Sequence, residues 1–362
     1  MRHRLHSICP YFAMFPETFV RTHLQNLQPS GAIFDPFAGR GTTPFEAALN
    51  GYRAAGTDTN PVAVCISNSK LNAPTLAQAL RRLEMLDHQS KDFEAESEAE
   101  EFFKCCYAPS TLRQLQFLRQ RLRWRKSSTE CFIAALVLWS LHGESHRSPN
   151  YFSNRMPRTI STKPQYSVRW WQRHRCTPPR RDVFEILRRM AEFRLRDPSP
   201  GVRGRVAERD ARLAYCAFPG LAGRVSTIIT SPPYLDVTSY HEDQWLRLWF
   251  LGGPAVPTAS RFDDRHTSTE YYWSFLADAW RGVAPLLASE SVIVVRIGGK
   301  YLRLEPVKER LLLSLREGLQ REVLALDGGT ISPFRRGQRK IFHNNFSRGV
   351  QREFDFRFSA NA

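Results

Sequence analysis

The segment 31–49 places the strongest constraint on the fold of this chain of 362 residues. A mainly apolar run leads into Asp35 as a buried strand would, Gly39 and Gly41 then form a tight turn, and a helix-like stretch follows. Glycines let the backbone come close to a ligand, and the N-terminus of a helix offers unpaired N–H groups to a carboxylate or a phosphate. The segment therefore predicts a strand, a ligand-binding loop and a helix.

A second acidic residue, Asp58, ends the next strand-like stretch, 23 residues after Asp35. An acid at this distance normally accepts hydrogen bonds from ribose hydroxyls at the edge of an α/β sheet, so the pocket is expected to bind a nucleoside. In the fingerprint of dinucleotide-binding proteins a third Gly or Ala would stand where this chain has Pro44. This difference argues against a nicotinamide or flavin enzyme.

A second loop motif, Ser231-Pro232-Pro233-Tyr234, directly follows the apolar run 225–229. Because each proline fixes φ and removes an N–H donor, the strand cannot continue as a helix or as a central ladder, and the loop is rigid. The Ser231 hydroxyl and the Pro232 carbonyl can both accept hydrogen bonds from one amino group, and the Tyr234 ring can form a stacking wall for a flat base. The alternative interpretation is an ordinary proline-rich turn.

Taken together, these motifs resemble those of the S-adenosylmethionine-dependent DNA amino-methyltransferases, which methylate cytosine at N4 or adenine at N6. The resemblance implies that the glycine loop and the upstream Phe-Pro pair hold the methionine part of the cofactor, that Asp58 holds its ribose, and that Asp210 lies near its adenine ring. The implied cofactor-binding residues are Phe15, Pro16, Asp35, Phe37, Gly39, Gly41, Thr42, Asp58 and Asp210. The implied catalytic residues are Ser231, Pro232, Pro233 and Tyr234.

The target base is suggested by the first residue of the catalytic motif. Ser231 stands where adenine-specific members more often have Asp or Asn, which favours cytosine N4. An exocyclic amine is a poor nucleophile, so two acceptors are needed to draw it toward tetrahedral geometry before an in-line displacement. A base within a duplex must also be flipped out of the stack. Three alternatives stay open: adenine N6 in DNA, an amino group in RNA, and a catalytically silent DNA-binding scaffold.

The sequence departs from the family at Arg40, where other members more often have Ser. A cation at this position either pairs with the carboxylate of the cofactor or points to solvent. The sequence does not decide between the two.

The charge of the chain suits a nucleic-acid partner. Lys and Arg number 52 against 35 Asp and Glu, which gives a net charge of +17, and such a surface binds phosphate backbones. The segment 147–181 holds nine Lys or Arg residues, several aromatic rings and no acid. Its predicted DNA-binding residues are Arg155, Arg158, Lys163, Arg169, Trp170, Trp171 and Arg173. The alternative is a basic loop whose aromatic residues lie in the core.

A further basic face between 113 and 126 is interpreted as solvated, or as a source of additional phosphate contacts.

Composition along the chain predicts three regions. These are a cofactor-binding half at 1–71, a helical and basic insert for target recognition at 72–205, and a catalytic half at 206–362. A buried strand is predicted at 291–298 and a half-exposed strand at 353–358, where apolar and charged residues alternate. These pieces predict an α/β fold with a doubly wound, Rossmann-like methyltransferase sheet that ends in an antiparallel hairpin.

The seven cysteines form no Cys-x-x-Cys pair, so neither a disulfide framework nor a zinc site is expected. No apolar run reaches about 18 residues and no signal-peptide pattern is seen, which predicts a cytoplasmic protein, associated with the nucleoid in a bacterium. The family resemblance implies double-stranded DNA as the partner and no membrane. It leaves open a cognate restriction endonuclease and the oligomeric state.

Overall fold

The computed structural model describes residues 2–11, 15–95, 100–156, 163–234, 243–258, 268–298, 303–333 and 352–362. The chain divides into two compact units. The helical unit comprises Met1–Tyr11, Asn68–Ser199 and Ser239–Arg261, and the sheet unit comprises Phe12–Ser67, Pro200–Thr238 and Phe262–Ala362. The helical unit thus contains most of the predicted insert, together with two segments from outside it.

The strands lie in the sheet unit, and the helices are divided between the two units. The strands are β1 (Ala32–Asp35), β2 (Ala54–Asp58), β3 (Arg205–Glu208), β4 (Val225–Thr230), β5 (Leu287–Gly298), β6 (Glu322–Ala325), β7 (Thr330–Pro333) and β8 (Arg352–Asn361). The α-helices are α1 (Glu17–Leu27), α2 (Thr42–Leu49), α3 (Pro61–Leu71), α4 (Leu76–Ser90), α5 (Glu101–Cys106), α6 (Pro109–Arg121), α7 (Ser128–Ser140), α8 (Pro164–Arg173), α9 (Val183–Arg194), α10 (Ala214–Ala217), α11 (Trp245–Phe250), α12 (Thr269–Val283) and α13 (Leu304–Leu319). Short 3₁₀ helices span Arg4–Ser7, Ala211–Leu213, Pro219–Leu221 and Ala284–Leu286.

The strands form one mixed sheet in the order β3, β2, β1, β4, β5, β8, β6, and β7 also pairs with β8. The first five pair in parallel, whereas β8 runs antiparallel to β5, β6 and β7. The strand order turns back between β1 and β4, as it does in doubly wound sheets. The predicted Rossmann-like methyltransferase sheet with an antiparallel end is confirmed.

The core of the sheet unit lies on both faces of the sheet. All residues of β1 and β4 are buried, as expected for parallel strands that are covered on two sides. Because successive side chains face opposite sides, Phe34 belongs to an apolar cluster with Trp280, and Ile33 belongs to another with Phe19. Helices α12 and α13 supply side chains to the first cluster, and α1 and α2 to the second.

In the helical unit, α7 is buried along almost its whole length, from Glu130 to Leu138, as expected for a helix that is apolar on all sides. Buried arginines connect the N-terminal segment to the helices. Arg247 donates to Pro10 O at 2.9 Å and to Leu138 O at 3.2 Å, and Arg194 donates to Arg4 O at 3.0 Å. No helix in the described ranges combines the length and the apolar composition that a bilayer span needs.

Helices α12 and α13 approach each other most tightly at Gly318. A Cβ atom at this position would lie 2.3 Å from Ala277 O and 2.5 Å from Trp280 Cβ. Because one of these atoms belongs to the backbone of α12, the contact can be relieved only if the two helices move apart. The glycine therefore sets the distance between them.

We expect Gly318→Ala to lower the free energy of unfolding by about 1–3 kcal/mol, because overpacking outweighs the gain in helix propensity. Urea unfolding followed by circular dichroism measures this change. Gly220→Ala is the matched control, since a Cβ atom there meets nothing within 4 Å, and its effect should stay below about 0.5 kcal/mol. Equal stability of the two variants would contradict the close approach.

Candidate functional site

The two sequence motifs meet at the carboxyl edge of the sheet. Asp35 is the last residue of β1, Thr230 is the last residue of β4, and the two strands are parallel neighbours. The Thr230 hydroxyl donates to Asp35 Oδ1 at 2.6 Å, although the residues are 195 positions apart. The glycine loop and the Ser231 loop therefore begin side by side at the point where the strand order turns back, which is where α/β sheets bind their ligands.

The glycine loop needs its glycines for conformation and for space. Gly39 and Gly41 have φ values of 52° and 71°, in the left-handed region that favours glycine. A Cβ atom at Gly41 would lie 2.5 Å from Ser67 Oγ, and the Ser67 hydroxyl donates to Gly39 O at 2.9 Å. The loop leads into α2, whose N-cap, Gly41, supplies no side-chain hydrogen bond. The N–H groups of the first turn thus have no side-chain cap and suit an anionic group.

Asp35 is an almost completely buried acid, with 1% of its surface exposed. Its Oδ1 accepts from Phe37 N at 3.0 Å as well as from Thr230, whereas Oδ2 has no hydrogen-bond partner among the described residues. Burial raises the pKa of Asp35 to about 7, against the opposing effect of the hydrogen bonds from Thr230 and Phe37. The site therefore holds a buried carboxyl that a cationic group would stabilise in its charged form.

Asp58, at the end of the neighbouring strand β2, binds the backbone of the glycine loop. Its Oδ2 accepts from Gly39 N at 2.8 Å, and its Oδ1 accepts from Asn60 N at 2.8 Å. Burial raises the pKa of Asp58 to about 6, partly offset by these two bonds, although some of the residue is still open to solvent. Since a carboxylate oxygen can accept more than one bond, Asp58 retains acceptor capacity toward a ligand.

The other residues of the glycine loop that the sequence singled out differ in how deeply they are buried. Phe37 is half-buried, and its ring lies 5.8 Å from the ring of Phe275 and 6.5 Å from that of Trp280. Thr42 is the first residue of α2 and is buried. Arg40 is 4% exposed, so the structure excludes the alternative in which it points to solvent.

The upstream Phe-Pro pair lies on one face of the sheet. Phe15 is buried, and its ring lies 5.2 Å from that of Phe19 in the cluster that includes Ile33. Pro16 is the N-cap of α1. Phe15 therefore contributes to the core beneath β1, and its implied contact with the cofactor stays a prediction.

Asp210 follows β3, next to the strand that ends in Asp58. Its carboxylate accepts from Arg212 Nε at 3.0 Å and from Arg212 Nη2 at 2.8 Å, and it also accepts from the backbone N–H of Arg212. These bonds fix the acid at the same edge of the sheet as Asp35 and Asp58. A ligand that binds the Asp210 carboxylate would share it with the guanidinium group of Arg212.

The Ser231 loop combines a partly exposed serine with a fixed aromatic ring. Ser231 and Pro233 are partly exposed, whereas Pro232 is buried. Tyr234 is 5% exposed, and its hydroxyl donates to Glu353 Oε1 at 2.7 Å. Its ring lies against Gly298, where a Cβ atom would come within 2.8 Å of Tyr234 Cε2.

Glu353 belongs to a buried ionic network that the sequence did not reveal. Its Oε2 lies 3.5 Å from Arg296 Nη1, and Arg296 binds the Asp355 carboxylate through Nε and Nη2 at 2.6 and 2.7 Å. The guanidinium carbon of Arg296 also lies 4.1 Å from the ring centre of Phe19. The only sequence signal was the alternation of charged and apolar residues in β8. That alternation predicted a half-exposed strand, which is wrong at Glu353, since this residue is 5% exposed.

The network keeps the Tyr234 phenol protonated. Burial raises the pKa of Tyr234, and the neighbouring Glu353 carboxylate raises it further. Burial also raises the pKa of Glu353, whereas Arg296 and the bond from Tyr234 act against that rise. Tyr234 is therefore a stable hydrogen-bond donor, and strand β8 holds the Ser231 loop in place.

The predicted DNA-binding residues belong to the helical unit. Lys163, Arg169 and Arg173 are exposed on or beside α8, and Arg155 is exposed with its guanidinium carbon 5.4 Å from the ring centre of Trp170. The Trp170 ring also stacks on His174 at 4.2 Å. Arg158 lies outside the described residues.

Trp171 differs from the other predicted DNA-binding residues. It is 1% exposed, its Nε1 donates to Arg155 O at 2.9 Å, and its ring packs against that of Phe102 at 5.6 Å. The structure therefore gives Trp171 a packing role, and the predicted DNA contact of its side chain is wrong. Helical periodicity accounts for the difference, because Ser167, Val168 and Trp171 form the buried face of α8.

Within the described ranges, no three His, Cys, Asp or Glu side chains are grouped closely enough to hold a metal ion.

We expect Asp35→Asn to flatten the dependence of stability on pH. The carboxyl has a pKa of about 7 in the folded chain and an ordinary value when unfolded, so the folded state binds the proton more tightly and the wild type loses stability as pH rises from about 4 to 7. Between pH 5 and pH 8, the loss that the variant abolishes is on the order of 2–3 kcal/mol. Urea unfolding at pH 5 and pH 8 measures it. Asp278→Asn, an exposed acid on α12, is the control, and an unchanged slope in Asp35→Asn would contradict the assignment.

We also expect Glu353→Gln to lower the free energy of unfolding by about 1–3 kcal/mol, because it leaves the buried Arg296 without one carboxylate and weakens the bond from Tyr234. Glu322→Gln, on the exposed side of β6, should change it by less than about 0.5 kcal/mol. Tyr234→Phe completes a double-mutant cycle with Glu353→Gln, and a coupling of at least about 0.5 kcal/mol is expected. Simple additivity would show that the hydrogen bond contributes nothing.

No protein-family model and no curated protein matches the sequence. Among solved structures, the chain is similar to the rRNA methyltransferase AviRa from Streptomyces viridochromogenes, with 12% identity and a TM-score of 0.36 over 96% of this chain and 87% of that one. It is similar to TrmN from Thermus thermophilus, with 11% identity and a TM-score of 0.32 over 96% of this chain and 49% of that one. It is also similar to geranyl diphosphate methyltransferase in complex with GPP and sinefungin, with 9% identity and a TM-score of 0.34 over 95% of this chain and 77% of that one. At these identities and TM-scores, none of the three supports a conclusion about what this chain binds or modifies.

Proposed function

We propose that this chain is an S-adenosylmethionine-dependent methyltransferase that acts on DNA and methylates the exocyclic N4 amine of a flipped cytosine. One observation carries the proposal: the glycine loop and the Ser-Pro-Pro-Tyr loop begin on adjacent strands, joined by the 2.6 Å bond between Thr230 and Asp35. A methyl donor held by the first loop and an amine held by the second would therefore be neighbours. Proximity of this kind accounts for much of the rate of a displacement reaction.

The residues present fit the cofactor at three points. The Asp35 oxygen that has no hydrogen-bond partner in the described part of the chain suits an ammonium group. The first turn of α2, where the N-cap residue supplies no side-chain hydrogen bond, suits a carboxylate. The Asp58 carboxylate at the end of β2 suits ribose hydroxyls. When bound, S-adenosylmethionine supplies an electrophilic methyl group on its sulfonium.

The Ser231 loop would prepare the amine. The Ser231 hydroxyl and the Pro232 carbonyl would accept hydrogen bonds from the two N–H groups, which draws the nitrogen lone pair out of conjugation with the ring. As the N–CH3 bond forms and the S–CH3 bond breaks, the nitrogen would release one of these protons to water. Tyr234, held by Glu353 and Gly298, fixes the position of that loop. Because only 5% of Tyr234 is exposed, a base that stacks on its ring would require the surrounding residues to move.

Product analysis tests the choice of target. Duplex DNA is incubated with the protein and a methyl-labelled cofactor and is then digested to nucleosides, and N4-methylcytosine is expected. Detection of N6-methyladenine without N4-methylcytosine would show that the target is adenine. Label in RNA but not in DNA would contradict the DNA assignment. Absence of cofactor binding in calorimetry would favour a silent scaffold.

Two variants separate the proposed roles. Ser231→Ala removes one acceptor from the amine, so turnover should fall by roughly tenfold or more while the dissociation constant of the cofactor in calorimetry stays the same. Asp58→Ala should instead weaken cofactor binding by roughly tenfold or more, since it removes both a ribose acceptor and the acceptor of the hydrogen bond from Gly39 N. Unchanged turnover in the first variant, or an unchanged dissociation constant in the second, would remove that residue from its role.

A further inference from the structure

The helical unit contains a cleft that has no part in the candidate methyl-transfer site. It lies where α6 ends and the chain turns toward α7, opposite the end of α11, and its volume is about 540 Å³. Its apolar floor is formed by Leu118, Leu122, Phe250 and Leu251. This volume is within the range of ordinary ligand sites, so one nucleotide-sized group can enter it.

The walls of the cleft are basic. Arg119, Arg123, Arg125 and Lys126 line it, and no Asp or Glu does so. Arg123, Arg125 and Lys126 are exposed. In the described part of the chain, neither Arg123 nor Lys126 forms an ion pair, so their charges are available to a ligand.

The other two cations give the cleft its shape. Arg119 donates to Trp249 O at 2.8 Å and to Gly253 O at 3.0 Å, which joins α6 to the segment around α11. The guanidinium carbon of Arg125 lies 4.0 Å from the ring centre of Trp124, a cation–π contact that holds the charge at the rim. The cleft therefore contains cations held by contacts, Arg119 and Arg125, as well as the exposed Arg123 and Lys126.

The carboxylate of Glu130, at the start of α7, already has its own partners. The carboxylate of Glu130 is occupied by Arg82, whose Nη2 lies 2.7 Å from Oε1, and by the backbone N–H of Arg123 at 2.5 Å from Oε2. The Glu130 side chain is only 10% exposed. The positive potential of the cleft is thus left open toward solvent.

We propose that this cleft binds the phosphate backbone of duplex DNA. Guanidinium groups match the two oxygens of a phosphodiester, and the apolar floor can take up the adjoining deoxyribose. The inference rests on the proposed function, which supplies DNA as the partner. It assigns phosphate contacts to residues that the sequence left as either a solvated face or a source of such contacts.

The test compares the salt dependence of binding in the full-length chain. Arg123→Ser/Lys126→Ser removes two phosphate contacts, and the affinity for a fluorescent duplex oligonucleotide is measured by anisotropy between 50 and 200 mM salt. Two contacts account for a slope of roughly 1.8, so the wild type should lose about tenfold more affinity over this fourfold range than the double variant. Thermal unfolding confirms that both chains are folded.

Arg81→Ser is the matched control. Arg81 is exposed on α4, opposite the buried residues Ala79 and Leu83, and it does not line the cleft. It should bind DNA with the slope of the wild type. Equal slopes in the wild type and the double variant, or equal losses in the double variant and the control, would overturn the proposal.

Three further measurements keep this proposal distinct from the proposed function. Cofactor binding in calorimetry should be the same in the wild type and the double variant. If the wild type binds the cofactor but no DNA, the cleft assignment fails and the cofactor site stands. Loss of affinity for an RNA stem–loop or for a free mononucleotide, with DNA binding unchanged, would also reject duplex DNA as the ligand of the cleft.

Discussion

The hydrogen bond from Thr230 to Asp35 is the contact on which the candidate site depends. It joins the last residues of two parallel strands, and these residues are 195 positions apart in the sequence. The bond lies between β1 and β4, where the strand order reverses. Burial costs Asp35 solvation, and the bonds from Thr230 and from the backbone of Phe37 only partly offset that cost. Burial raises the pKa of this carboxyl to about 7, so its charged form is costly in the folded chain, and perturbed carboxyls of this kind cluster at functional sites.

The antiparallel end of the sheet supports the second loop. Strand β8 places Glu353 against the Tyr234 hydroxyl and Asp355 against Arg296, so a network of buried charges stands behind the Ser231 motif. Buried ion pairs contribute little net stability, but they hold side chains in one geometry. Strand β8 thus extends the sheet and also positions the Ser231 loop.

The cations of the helical unit fall into two groups. Arg247 and Arg194 are buried and bind backbone carbonyls, so they serve the fold. Arg123 and Lys126 are exposed beside an apolar cleft, where they can serve a ligand. A net charge of +17 alone does not separate these two uses, since only burial shows which cations face solvent.

By itself, the sequence determined the features that follow from local backbone chemistry. The left-handed turns at Gly39 and Gly41, the strand endings at Asp35 and Asp58 and the doubly wound sheet were predictable because φ restrictions and apolar patterning act over a few residues. The tertiary structure decided what depends on distant packing. It placed Glu353 beside Tyr234, 119 residues earlier in the chain, and it buried Trp171, whose basic and aromatic neighbours had indicated a surface. No local pattern encodes such contacts, because their partners meet only when the sheet and the helices assemble.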